Sequence, residues 1–142
     1  MYDQRNIIFI LTSLEAIEKI AIYTRGIETA GGFLEKDDQL TFNACQTLLM
    51  TIGEETKKID ASIKGQHAKI PWKLITQLRN RIAHDYRSIN PTISYDVVKN
   101  YLPPLKKELI EIIKRIDYPE EKLEKVLASP YYAHLGYLKT NK

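Results

Sequence analysis

Apolar residues recur at spacings of three and four along almost the whole chain. Ile7, Ile10, Leu11, Leu14, Ile17 and Ala21 form one such stripe and predict a first helix from about Asp3 to Arg25. Gly26 and Gly31-Gly32 punctuate the loop that follows, and Phe33-Leu34 starts a short helical turn. A second, longer helix carries Leu40, Ala44, Leu48, Ile52, Ile59 and Ile63. Asp37 or Asp38 caps it, and it ends near Gly65. Pro71 opens the next helix, because a first-turn proline lacks only an N–H that has no intrahelical partner there. Asn90-Pro91 repeats the start signal for a fourth helix carrying Tyr95, Val98, Tyr101, Leu102, Leu105, Leu109, Ile112, Ile113 and Ile116. Pro103-Pro104 predict a kink or break in it, since neither can donate to the ladder. Pro119 begins a short last helix to about Leu127, followed by a tyrosine-rich tail with little periodicity, expected to pack on a neighbour or stay mobile. No alternating strand pattern appears. The expected fold is all-α, an up-and-down bundle of about four to six helices, with a bundle over 1–118 and a short helix and tail over 119–142.

Composition narrows this picture without changing it. A chain of 142 residues fits one domain. With 44% apolar and 27% charged residues it is ordinary globular material, which excludes disorder. The apolar run IIFIL is too short for a signal peptide or a membrane span, so a cytoplasmic protein is expected. The single cysteine, Cys45, excludes an intrachain disulfide and a cysteine-based zinc cluster. In its apolar setting it reads as a buried structural thiol. His67 and His134 read as solvated loop residues, and Trp72 as a packing anchor. No metal-ligand spacing and no glycine-rich phosphate loop occurs, so no metal or cofactor is expected.

The net charge of +3 is modest, but its distribution is uneven. Between Lys57 and Arg87 stand Lys57, Lys58, Lys64, Lys69, Lys73, Arg79, Arg81 and Arg87, against only Asp60 and Asp85 as acids. Such a surface draws an anionic partner.

The segment that carries chemistry is QLRNRIAHDYR, Gln77 to Arg87. On a wheel of about 100° per residue, Leu74, Ile75, Leu78 and Ile82 form the core-facing arc. Asn80 and His84 share a face nearly opposite, Arg79 and Tyr86 share a flanking line, and Ala83 lies between them, small enough to admit another backbone. Histidine exchanges protons near neutral pH. Arginine offers a fixed fork of donors matched to phosphate oxygens. These are the parts of RNA cleavage by the 2′-hydroxyl, which needs a base, an acid and a cation on the crowded phosphate. One chain supplies one motif histidine, so two copies packed through this face are expected to complete the set.

The run RNRIAHDY, Arg79 to Tyr86, resembles the Arg-x4-His-x-Tyr signature of the HepT family, a branch of the HEPN superfamily (DUF86-like). IGEETKKID (52–60), IPWKLI (70–75) and YDVVKNYLPPLKKEL (95–109) resemble, in order, the segments that flank that signature, and the likeness spans about Asn6 to Ile116. The resemblance implies a homodimeric HEPN bundle with two motif helices lining a shared cleft. It also implies a toxin of the HEPN/MNT type: a metal-independent endoribonuclease acting on RNA, with no DNA or membrane partner. Its antitoxin would be a minimal nucleotidyltransferase that adenylylates Tyr86. Carried over residue by residue, Arg79 holds the phosphate and His84 is the acid or base. Asn80 orients His84 or contacts RNA, and Glu54 pairs with Arg79 or Arg81. Asp85 belongs to the same supporting set. Glu55 departs from the family's alanine, and the tail lies outside the likeness. HEPN-like bundles also serve as non-catalytic modules beside nucleotidyltransferases, which is the alternative.

Overall fold

Helix α1 (Asn6–Tyr23) is the axle of the fold. Its Ile10, Leu11 and Leu14 are fully buried, and so are the polar Ser13 and Glu15, so nearly every face of this helix is covered. The covering comes from α3 (Leu40–Lys57), α7 (Leu102–Lys114) and the C-terminal tail. The computed structural model describes residues 1–139. They form an all-α, HEPN-like bundle with no strand among them; Tyr2 meets Ile116 in a single isolated bridge.

After α1, the short helix α2 (Ala30–Glu35) is capped by Thr29, whose hydroxyl accepts the Gly32 N–H at 3.0 Å. The expected aspartate cap on the next helix is not used. Asp37, Asp38 and Gln39 instead run through three successive left-handed conformations (φ 51°, 54° and 68°), and α3 starts only at Leu40. Such residues cost about 1–2 kcal/mol each, so this turn is held by its surroundings.

The long helix expected to reach Gly65 is divided at Lys58–Asp60 into α3 and α4 (Ala61–Gln66). The N-terminus causes the division. Asn6 Oδ1 accepts the Asp60 N–H at 3.0 Å. The Asp60 carboxylate in turn accepts from Arg5 at 2.6 Å and from the Asn6 amide at 3.0 Å. These bonds from Asn6 and Arg5 hold the Asp60 carboxyl below the usual carboxylate range.

Helix α5 (Trp72–His84) begins one residue after Pro71. Asn90 caps α6 (Pro91–Asp96) by accepting the Thr92 N–H at 2.9 Å, as its sequence predicts. The expected break at Pro103-Pro104 does not occur. A π-helical turn over Val97–Tyr101 joins α6 directly to α7, with the Leu102 N–H reaching back to the Val97 carbonyl. The wider turn places both prolines in the first turn of α7, where their missing donors cost little.

The last helix, α8 (Glu120–Leu127), is followed by a tail that seats on α1 and not on a neighbour. Tyr132 bonds Thr12 at 3.0 Å, and Leu135 is fully buried in the core. The last three positions of the expected 119–142 tail lie outside the described residues. Neither loop histidine is simply solvated. His134 meets the buried Glu15 carboxylate at 2.6 Å with Nδ1 and at 2.9 Å with its backbone N–H. His67 is 5% exposed and bridges Glu108, 2.9 Å away, and the Tyr2 hydroxyl, 3.3 Å away. Among the described residues, no helix is long and apolar enough to cross a membrane.

Two outcomes test this arrangement. Leu135→Ala should cost about 2–5 kcal/mol in denaturant unfolding, whereas a change within error would make the tail a mere appendage. Burial pushes the Cys45 thiol up to about 12, so a thiol reagent at neutral pH should label the unfolded chain and spare the native one.

Candidate functional site

The site is built at the seam between α3 and α5. Gly53 lies in mid-helix and buried; a Cβ added there would stand 2.4 Å from Arg79 Cβ and 3.3 Å from the Ile75 carbonyl oxygen. Only glycine allows α5 to approach this closely. On α5, Ile75, Leu78 and Ile82 are buried as the wheel predicts, while Leu74 is half-buried. The close approach lays the Arg79 side chain against α3. Its Nη2 donates to Glu54 Oε1 at 3.0 Å and its Nη1 to Asn80 Oδ1 at 3.2 Å. Its Nε is buried with no partner among the described residues. Glu54 thus pairs with Arg79 and not with Arg81. The guanidinium retains one free donor on each terminal nitrogen.

His84 is the last residue of α5. It is exposed and makes no hydrogen bond or ion pair among the described residues. Asn80 and Ala83 are exposed on the same side, although Asn80 gives its oxygen to Arg79 and not to the imidazole. Tyr86 does not continue the helical line of Arg79. The helix stops when Asp85 turns extended (φ −151°, ψ 81°), and Tyr86 opens a short 3₁₀ turn over Tyr86–Ser88. Its ring meets Phe42 edge-on at 6.4 Å, and its hydroxyl donates to Asn43 Oδ1. Burial holds this phenol above the usual tyrosine range. Asn43 and Glu54 are eleven residues apart on α3, about 16 Å along its axis. Asp85 faces Arg87 at 3.9 Å. Arg81 lies on the other flank of α5, in a groove with Leu74, Gln77, Ile89 and Ile93. The structure therefore joins Arg79, Asn80 and Glu54 by hydrogen bonds, while neither His84 nor Tyr86 bonds to any of the three within one chain.

A family model described as ribonuclease HepT-like matches residues 13–112, from the second turn of α1 to the last turns of α7, with the motif helix inside. The chain belongs to the HepT-like family. A Methanocaldococcus jannaschii protein whose name marks it provisionally as an RNase is 34% identical over 113 residues, covering 80% of this chain and 91% of its own length. A Thermococcus cleftensis protein named "Probable ribonuclease HepT" is 31% identical over 100 residues, covering 70% of this chain and 88% of its own. No solved structure matches the chain. The HepT-like match ends before α8, so the tail that seats on α1 lies outside it.

Three contributors to this HepT-like site carried no assigned role in the sequence: Gly53, Asn43 and Phe42. An isolated glycine inside a helical pattern is the signal that finds Gly53, because it marks close backbone approach. Asn43 and Phe42 carry no such signal, since their contact with Tyr86 spans two helices. Among the described residues, no three His, Cys, Asp or Glu side chains stand where they could share a metal ion.

Gly53→Ala should destabilise the fold by about 1–3 kcal/mol and shift the Arg79 side-chain resonances as well. A neutral effect in both thermal unfolding and NMR would mean that α3 and α5 are not held this tightly.

Proposed function

We propose that the protein is the toxin of a toxin–antitoxin pair, a metal-independent endoribonuclease whose cleft is completed by a second copy of the chain. The reading rests on one observation: His84 stands exposed and unpartnered on the same uncovered side of α5 as Asn80 and the small Ala83. A surface built this way suits close contact with its two-fold mate. The mate supplies the second imidazole, which one chain lacks.

In the shared cleft, one neutral His84 takes the proton of a ribose 2′-hydroxyl. The 2′-oxygen forms its bond to phosphorus as the bond to the 5′-oxygen breaks. The other His84, protonated, delivers its proton to that leaving oxygen. The products carry a 2′,3′-cyclic phosphate and a 5′-hydroxyl. Arg79, held in place by Glu54, offers its remaining donors to the phosphate oxygens as charge accumulates on them. The names of the relatives support the ribonuclease part of this reading.

Neutralisation falls to a nucleotidyltransferase antitoxin that transfers AMP from ATP to Tyr86: the phenolic oxygen loses its proton and bonds the α-phosphorus as the bond to the β-phosphate breaks and pyrophosphate leaves. The partly exposed Tyr86 stands beyond the end of the motif helix, where an added adenylate brings bulk and negative charge to the cleft's mouth. The competing reading is a binding module without catalysis. The Arg79–Glu54 ion pair favours it, because a carboxylate already answers part of the guanidinium charge.

The two separate cleanly. Purified protein should cut RNA in the presence of a chelator, and its expression should arrest growth. His84→Ala should lower the cleavage rate by about 10²–10⁴, and Arg79→Ala should do similar damage. Intact RNA with the wild-type dimer would favour the module.

A further inference from the structure

The basic residues between Lys57 and Arg87 divide into two groups. Lys58, Lys69, Arg79 and Arg87 each meet a carboxylate. Lys57, Lys64, Lys73 and Arg81 form no ion pair among the described residues. Lys64 and Lys73 line an open hollow of about 640 Å³ between α4 and the start of α5, together with Ile70, Trp72, Thr76 and Gln77. No acid lines it. Desolvation and then the Lys57 ammonium hold Lys64 below the usual lysine range, two costs that a bound anion would offset. Trp72 is half-buried, and its indole N–H is already spent on the His67 carbonyl at 3.2 Å. What remains to be offered to a ligand is its π surface. Trp72 is therefore both the packing anchor its position suggests and a wall of the hollow.

Helical spacing ties the hollow to the motif. Lys73, Gln77, Asn80 and His84 descend one side of α5 at steps of three and four, and Lys73 and His84 lie about 16 Å apart along the axis. That span fits several nucleotides, not one.

We propose that this hollow is a nucleotide subsite, in which a base of single-stranded RNA stacks on Trp72 while its phosphate bridges Lys64 and Lys73. The inference deepens the ribonuclease reading and depends on it for the choice of RNA. An aromatic wall beside paired cations is the usual platform for an unpaired strand, and one stacked base is worth about 1–3 kcal/mol. The subsite holds the strand that runs away from the scissile phosphate, so it acts on binding of longer substrates and leaves the chemistry at His84 untouched.

Trp72 is the chain's single tryptophan, so its emission reports the subsite directly. The full-length His84→Ala protein is titrated with an unstructured RNA hexanucleotide, and binding is followed in parallel by anisotropy of a labelled strand. RNA should quench the emission as it binds. Lys64→Gln with Lys73→Gln should weaken binding roughly tenfold and reduce the salt slope by about one. In the wild-type background the same pair should raise KM for the hexanucleotide and leave cleavage of a dinucleotide unchanged. Trp72→Phe keeps the packing and should retain part of the affinity. RNA that binds with unaltered emission and an unaltered salt slope overturns the subsite while wild-type cleavage keeps the nuclease reading. Quenching by an RNA that the wild type never cuts keeps the subsite and overturns the nuclease. Absence of any binding overturns the subsite, and the nuclease reading then stands or falls on wild-type cleavage alone.

Discussion

The contact between Gly53 and Arg79 sets the spacing on which the rest of the site depends. A mid-helix glycine costs about 1 kcal/mol relative to alanine, and here it removes the one side chain that would hold α3 and α5 apart. With the helices that close, Ile75, Leu78 and Ile82 enter the core, and the opposite side of α5 is left with Asn80, Ala83 and His84. The same approach lays the stem of Arg79 in the seam and brings its head to Glu54. Position, burial and charge partner of the arginine all follow from one missing methyl group.

That geometry separates two kinds of polar residue on one helix. Arg79 is half-buried, doubly hydrogen-bonded and fixed, and its pairing with Glu54 is firm because the stem cannot swing away. His84 is exposed at the helix end and unpartnered among the described residues. On the proposed reading this division has a use: the cation must be placed, while the imidazole must be able to exchange its proton. Tyr86 belongs to neither group. The extended Asp85 swings it off the helix onto Phe42 and Asn43, about 16 Å along α3 from Glu54. On the proposed reading, a change at that hydroxyl would act by bulk and charge across the cleft and not by touching Arg79 in its own chain.

Most of the bundle was legible because it depends on local periodicity. The stripes of α1, α5 and α7, the Asn90 cap and the start of α8 all follow from residues within a few positions of one another. What escaped reading is non-local. The division between α3 and α4 is imposed by Asn6, 54 residues earlier in the chain. His134 and His67 find their carboxylates 119 and 41 residues away, so no window around either could reveal that they are not solvated. The π turn before Pro103-Pro104 was also invisible, because proline chemistry states what must be avoided and leaves the remedy open. The Arg79-to-Tyr86 motif singled out α5, but a wheel cannot show that Tyr86 has already left it.

The charge pattern shows how much a sequence statement gains once pairing is known. Eight basic residues against two acids described the 57–87 stretch as a general attraction for anions. In the folded chain, Glu54, Glu55 and Glu108 come from outside the stretch and pair three of the eight, and Asp85 within it pairs a fourth, Arg87. The unpaired cations are then no longer spread evenly. Lys57 ends α3, Lys64 lies on α4, and Lys73 and Arg81 stand on α5. A long-range field from so few charges is weak and screened within about 10 Å. Local desolvation in a hollow beside Trp72 is not screened in the same way. Recognition of an anionic chain is therefore argued better from where carboxylates fail to reach than from the net charge of +3.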